Sequence, residues 1–159
     1  MDSSVEIFIK RAQNEITLSK IIMRVSEDDD LQKDVFGTPS DTYYSAVISH
    51  SYYSIFYMTK AYLLTKGIKV QAPEEHKKAY EEFKKLVDKG LVDIELLKIY
   101  QQLLFRADTL LEIFQTEKSK RGKFTYKKLP QANSEPAMES LRNSKEFFKH
   151  INYLCNNPS

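Results

Sequence analysis

One stretch, from Asp41 to Gly67 (DTYYSAVISHSYYSIFYMTKAYLLTKG), constrains what this chain can fold into more than any other, because it is the longest apolar, aromatic-rich segment. At helical spacing Tyr44, Val47/Ile48, Ser51, Ile55, Met58/Thr59 and Tyr62 recur every three or four residues, and Ala46, Tyr53 and Ala61 widen the stripe. A helix patterned this way is buried over most of its circumference. Thr38 as N-cap and Pro39 at the first helical position start it, and Gly67 stands where a left-handed residue ends it. The predicted element is about 28 residues long, roughly 40 Å at 1.5 Å per residue. Every other helix then has something long and apolar to pack on.

The flanking segments also read as helices, most with a narrower stripe, while the one from Asp93 is apolar on more than half its girth and reads as a second buried helix. The first runs from about Ser4 to Val25, capped by Ser3 or Ser4, with Val5, Phe8/Ile9, Ala12, Ile16, Ser19 and Ile22/Met23 inward and a polar opposite face. The acids Glu27, Asp28, Asp29 and Asp30 fall in the loop that follows; they lack the alternating ligands and turn glycine of a calcium loop, so a solvated loop is expected. A short helix starts at Pro73, with Glu74 and Glu75 in its first turn, and stops at Gly90. From Asp93 another runs through Ile94, Leu96/Leu97, Tyr100, Leu103/Leu104, Ala107, Leu110/Leu111 and Phe114. Ser134 caps the last, with Ala137/Met138, Leu141, Ser144, Phe147/Phe148, Ile151 and Leu154/Cys155 inward. Nothing alternates like a strand. The predicted fold is all-α, an antiparallel up-and-down bundle of four long helices plus one short helix, in one domain over residues 1–159.

Composition narrows the chemistry. A chain of 159 residues with 42% hydrophobic content and four glycines buries a core without staples. The single cysteine, Cys155, leaves no partner for an intramolecular disulfide or a Cys-based zinc site, which fits a reducing interior. Three scattered histidines with no metal-ligand spacing imply no metal, and no cofactor motif appears. The first residues lack a leader pattern and no run of eighteen apolar residues exists, so the expectation is cytoplasmic, with no membrane. A net charge of +2 makes no global case for nucleic acid.

At His50-Ser51-Tyr52-Tyr53-Ser54-Ile55-Phe56 the central helix resembles the HEPN family, small helical-bundle domains whose second helix carries a polar or basic residue, a Tyr-Tyr pair and an aromatic one turn on. Glu75-His76-Lys77 with Phe83 is similar to the family's short third helix, Arg106-Ala107-Asp108 to the Arg-x-Asp of its fourth, and EFFKHI to its last. The likeness covers roughly residues 5 to 154. It implies a homodimer formed through the long helices, and pairing with a minimal nucleotidyltransferase in toxin–antitoxin-type systems. Many members are ribonucleases that use an arginine followed by a histidine after four to six residues. Here Arg142 is followed by His150 with seven residues between, about 80° round a helix and roughly 12 Å along it. Arg106 and Arg121 have no histidine at the family's spacing either.

Each candidate has a functional and a structural reading. His50 and His76 are acid–base candidates by residue type, but His50 on a buried helix reads as a packed, hydrogen-bonded residue and His76 as a solvated one. Arg106 and Asp108 either tie helices or the dimer together through tyrosine hydroxyls such as those of Tyr52 or Tyr53, or line a cleft for a nucleotide or RNA phosphate. Lys118, Lys120, Arg121, Lys123, Lys127 and Lys128, interleaved with Phe124 and Tyr126, suit RNA phosphates and a stacked base, or form a solvated loop. The leading expectation is a non-catalytic HEPN-like partner protein that binds nucleotide or RNA. The alternatives are a metal-independent ribonuclease in which Arg142 and His150, with Arg106 or the basic segment, act across the dimer, and a purely structural bundle.

Overall fold

The computed structural model describes residues 1–111 and 133–158, less the side chains of residues 110 and 111. The described residues form an all-helical bundle: α1 (Ser3–Ser26), a π-helical turn (Leu31–Val35), α2 (Tyr44–Thr65), α3 (Glu75–Asp88), α4 (Ile94–Leu111) and α5 (Ser134–Asn156). Four helices of 18 to 24 residues and one of 14 are as predicted. The basic segment with Lys118, Lys120, Arg121, Lys123, Lys127 and Lys128 lies outside the described residues.

α2 is the hub and touches each of the other four α-helices. Most of its predicted stripe is the core: Val47, Ile48, Ser51, Ile55, Met58, Thr59, Ala61 and Tyr62 are buried, whereas Tyr44, Ala46 and Tyr53 of the same stripe are half-buried. Burial of this many large side chains, each worth about 1.5–3 kcal/mol, is what offsets the conformational entropy of ordering the chain. α1 lies against α2 in the opposite direction. Ser19 Oγ donates to Val47 O, Glu15 meets His50, and Phe8 stacks on Tyr57, so numbers fall on one helix as they rise on the other. Tyr80, Phe83, Tyr100 and Phe147 then join α3, α4 and α5 in a second aromatic layer with ring centroids 5.3 to 5.9 Å apart.

Several predicted ends move. α2 does not begin at Thr38-Pro39 but at Tyr44. The cause is Gln32, which is fully buried in the π-helical turn where a plain loop was expected. Its Nε2 donates to Val25 O and Asp41 O, its Oε1 accepts from Asp41 N, and its backbone oxygen accepts from Thr38 N and Oγ1. Bonded this way, residues 38 to 41 are held out of the helix. Asp2, not Ser3 or Ser4, caps α1, its Oδ1 accepting from Ser4 N at 2.7 Å. α3 starts at Glu75, two residues after Pro73, and Asn133 precedes α5 where Ser134 was expected. Gly67 and Gly90 do close α2 and α3. Both have positive φ, and Ile68 N and Leu91 N reach back to Leu63 O and Leu86 O in the six-residue closure of that motif.

The outer face of α1 is the main departure from pattern. It was expected to be polar, yet Ile7, Leu18 and Ile21 are exposed on it. No helix among the described residues is long and apolar enough to cross a membrane.

Candidate functional site

The HSYYSIF segment occupies the middle two turns of α2, so successive residues point to different neighbours. Tyr52 points straight into the core, while Tyr53 and His50 flank it at the edge. α3 enters from Glu74, which adopts a left-handed conformation (φ 56°) and sets the helix so that its first turn lies over α2. His76 in that turn meets α2 three ways. Its Nδ1 shares a 2.8 Å hydrogen bond with Tyr52 Oη, its ring stacks on Phe56 with centroids 3.9 Å apart, and it meets the edge of Tyr53 at 6.2 Å. His76 is therefore a packed residue, not the solvated one its acidic and basic neighbours indicated.

Beside it Glu75 forms an ion pair with Lys60 of α2, whose ammonium lies 4.5 Å from the Phe8 ring centroid and 5.5 Å from that of Phe56. On the other side Glu15 of α1 holds His50 Nδ1 at 2.5 Å. A polar seam thus crosses α1, α2 and α3, continuous through Glu15, His50, Tyr53, Tyr52 and His76. A cavity of about 540 Å³ opens next to it, lined by Phe8, Lys60, Leu64, Lys69, Val70 and Glu75 among others.

Electrostatics define what the seam can do. Burial, reinforced by Tyr100, Tyr53 and Asp108, raises the Tyr52 hydroxyl far above its ordinary range, so it stays protonated and cannot act as a base. Burial pulls the His76 imidazole below its usual value; Glu75 works the other way and Lys60 adds to the drop. Near neutral pH His76 is uncharged, suited to hydrogen bonding and aromatic contact but not to holding a phosphate by charge.

Arg106 and Asp108, two residues apart on α4, point to different neighbours. Arg106 turns to α5: Nη1 donates to Ser140 Oγ at 3.0 Å and to Pro136 O at 3.4 Å, and Nη2 meets Glu139 Oε2 at 3.4 Å. It ties two helices, as one reading had it, but through a serine, a carbonyl and a carboxylate and not through the hydroxyls of Tyr52 or Tyr53. Asp108 is the member of the pair whose charge acts on Tyr52. Burial tends to raise the Glu139 carboxyl, but bonds from Gln102 and Arg106, with the attraction of Arg106 and Arg142, outweigh it and hold the group below the ordinary range.

Arg142 and His150 sit exposed on α5, two turns apart, and His150 Nε2 is paired with Glu146 at 2.7 Å. They are not brought together within one chain. Among the described residues no cluster of three or more His, Cys, Asp or Glu side chains is placed to hold a metal ion.

The partners that complete these sites escaped sequence reasoning. Glu15 lies 35 residues from His50, and Ser140 lies 34 from Arg106, separations that carry no motif. The nearest signal was a lone charge on each partly buried face, which demands a counterpart without naming it. Comparison with protein-family models, with curated proteins and with solved structures finds no match to this chain.

Proposed function

We propose that this chain is a HEPN-like helical-bundle protein that acts as a homodimer by binding, without cleaving RNA itself. In this reading it is the regulatory partner of a minimal nucleotidyltransferase in a toxin–antitoxin-type system, and nucleotide or RNA contacts fall to the basic residues from Lys118 to Lys128 and to exposed Arg142. The reading rests on the resemblance carried by His50, Tyr52, Tyr53, His76, Arg106 and Asp108, together with the all-helical bundle that such a resemblance calls for.

The observation that carries its non-catalytic part is the engagement of the candidate catalytic groups. Arg106 spends its guanidinium on α5, His150 is paired with Glu146 on its own helix, His50 with Glu15, and His76 with a tyrosine that cannot ionise. Acid–base cleavage of RNA needs two proton-transferring groups within reach of one phosphate. Arg142 and His150 are about 12 Å apart along α5 by helical rise.

The test is incubation of the purified protein with labelled RNA in the absence of added metal, read on a denaturing gel beside the Arg142→Ala and His150→Ala proteins. Intact RNA in all three lanes is expected. Cleavage by the wild type that disappears in both variants overturns the reading and makes the protein a ribonuclease whose site forms across the dimer.

A further inference from the structure

The cavity of about 540 Å³ beside the polar seam is built from three parts of the chain: the first turns of α1, the second half of α2 with the first residue of α3, and the linker from Lys69 to Ala72 between those two helices. Its volume lies within the range of about 300–1,000 Å³ that small-molecule sites occupy. Part of the lining is apolar, with Phe8, Leu64, Val70 and Ala72, and part carries two ammonium groups, Lys60 and Lys69, and two carboxylates, Asp2 and Glu75. Only half of that charge is committed. Lys60 and Glu75 pair with each other, and the Lys60 side chain is 15% exposed. Lys69 forms no ion pair with a described residue, and Asp2 gives Oδ1 alone to Ser4 N, which leaves Oδ2 open. The linker adds donors, because the amides of Lys69, Val70 and Gln71 have no partner among the described residues. A ligand therefore finds one uncommitted cation with free amides beside it, one uncommitted carboxylate oxygen and an apolar wall.

We propose that this cavity binds a small zwitterion with an apolar body, an apolar amino acid or a dipeptide of such residues. Its carboxylate meets Lys69 and the linker amides, its ammonium meets Asp2, and its side chain lies against Phe8, Leu64 and Val70. The balance of charge selects this class. A nucleotide or RNA phosphate brings only negative charge and meets two carboxylates with a single uncommitted ammonium to hold it, and a plain amine meets two ammonium groups with a single open carboxylate oxygen. A neutral apolar molecule would strip water from Lys69 and Asp2 and give them nothing in return. A molecule with one charge of each sign satisfies both and fills the apolar wall as well. The site stands apart from the RNA contacts assigned to Arg142 and the basic segment, so either can fail without the other.

The experiment follows methyl and amide NMR signals of the full chain as leucine or leucyl-leucine is added, beside two truncated probes: isocaproate, which lacks the ammonium, and isoamylamine, which lacks the carboxylate. The expected result is saturable movement of the Leu64 and Val70 methyl signals and of the Lys69 to Gln71 amides with at least one of the two zwitterions. Either truncated probe should bind about tenfold more weakly or worse, the loss of one charge-assisted bond. Lys69→Gln and Asp2→Asn, the second of which keeps a cap on α1, should each weaken the zwitterion by about the same factor, and Lys98→Gln on the exposed side of α4 should leave it unchanged. Circular dichroism checks that each variant is folded; should Asp2→Asn fray α1, Lys69→Gln alone decides by the same criterion. No movement with either zwitterion at millimolar concentration, or movement confined to signals outside the cavity, overturns the site. Isocaproate that binds as tightly as leucine overturns the zwitterion, as does binding that both variants retain in full.

Discussion

Tyr52 Oη and His76 Nδ1 meet at 2.8 Å, a hydrogen bond between a side chain buried in the core and the first turn of a helix 24 residues further on. It is the point where the central helix takes hold of α3. Phe56 backs the imidazole from below, so the histidine is fixed by one polar contact and one stacked ring.

Removing the hydroxyl in Tyr52→Phe is expected to destabilise the fold by about 1 kcal/mol, and His76→Ala, which also loses the stack on Phe56, by roughly 2 kcal/mol or more. Urea denaturation of both single variants and the double variant gives the coupling, expected near ~1 kcal/mol. A coupling of zero would mean that the contact holds no energy and that α3 is positioned by Glu75 and Lys60 instead.

Stability depends on pH through the same histidine. The folded state lowers the His76 value, so the unfolded chain binds the proton more readily, and stability rises with pH. Its contribution is complete above the unfolded value of about 6.5 and is lost as pH falls from there toward the depressed folded value. Urea midpoints at several pH values between the two should therefore slope for the wild type and flatten for His76→Gln. Glu139, also lowered, acts in a separate, more acidic window below about 4.5. An identical slope in His76→Gln would place the pH dependence elsewhere.

Gln32→Leu keeps the volume of the buried side chain but takes away the partner of Asp41 O and Asp41 N, while Val25 O keeps its bond from Asp28 N. A cost of about 1–3 kcal/mol is expected for leaving such groups unpaired. Hydrogen exchange should report it locally, with faster exchange at Asp41 and at Tyr43, whose amide is held by Ser26 Oγ. Unchanged protection there would show that the loop holds its shape without the carboxamide.

At Gly67 an added Cβ meets nothing within 4 Å, so Gly67→Ala isolates the backbone effect of φ +73°. The expected loss is about 1 kcal/mol, with Gly67→Asn milder because asparagine tolerates the left-handed region. Thermal unfolding of the two variants checks the order.

Arg106→Met should loosen α4 from α5. Freed of the arginine, the Glu139 carboxyl should titrate closer to its ordinary range, because burial is then less opposed. NMR titration of Glu139 reads this directly, and no movement would mean that Gln102 and Arg142 set the group without Arg106.

The helices were legible because burial leaves a period. The stripe from Val47 to Tyr62 in α2 and the matching rows of α3, α4 and α5 have to face inward, and side chains three and four apart share a face whatever the rest of the chain does. Gly67 and Gly90 were legible for the same local reason, since a left-handed residue after a helix is most easily a glycine. Exposed apolar residues at helical spacing read ambiguously: Ile94 and Met138 were assigned inward by pattern and lie outward, and Ile7, Leu18 and Ile21 were hidden in a face taken as polar.

What the amino-acid order determined by itself was therefore the five α-helices and the main row of inward residues on each, because periodicity acts over a few residues, whereas the start of α2 was set by contacts further off. The tertiary structure alone decided where the polar groups found partners. Gln32 halting α2 at Tyr44, Glu15 reaching His50, Arg106 choosing Ser140 over the tyrosines and His76 closing on Tyr52 all join residues 9 to 35 positions apart. A buried polar group must be satisfied, but which neighbour satisfies it depends on how the helices pack in three dimensions, and no spacing along the chain encodes that.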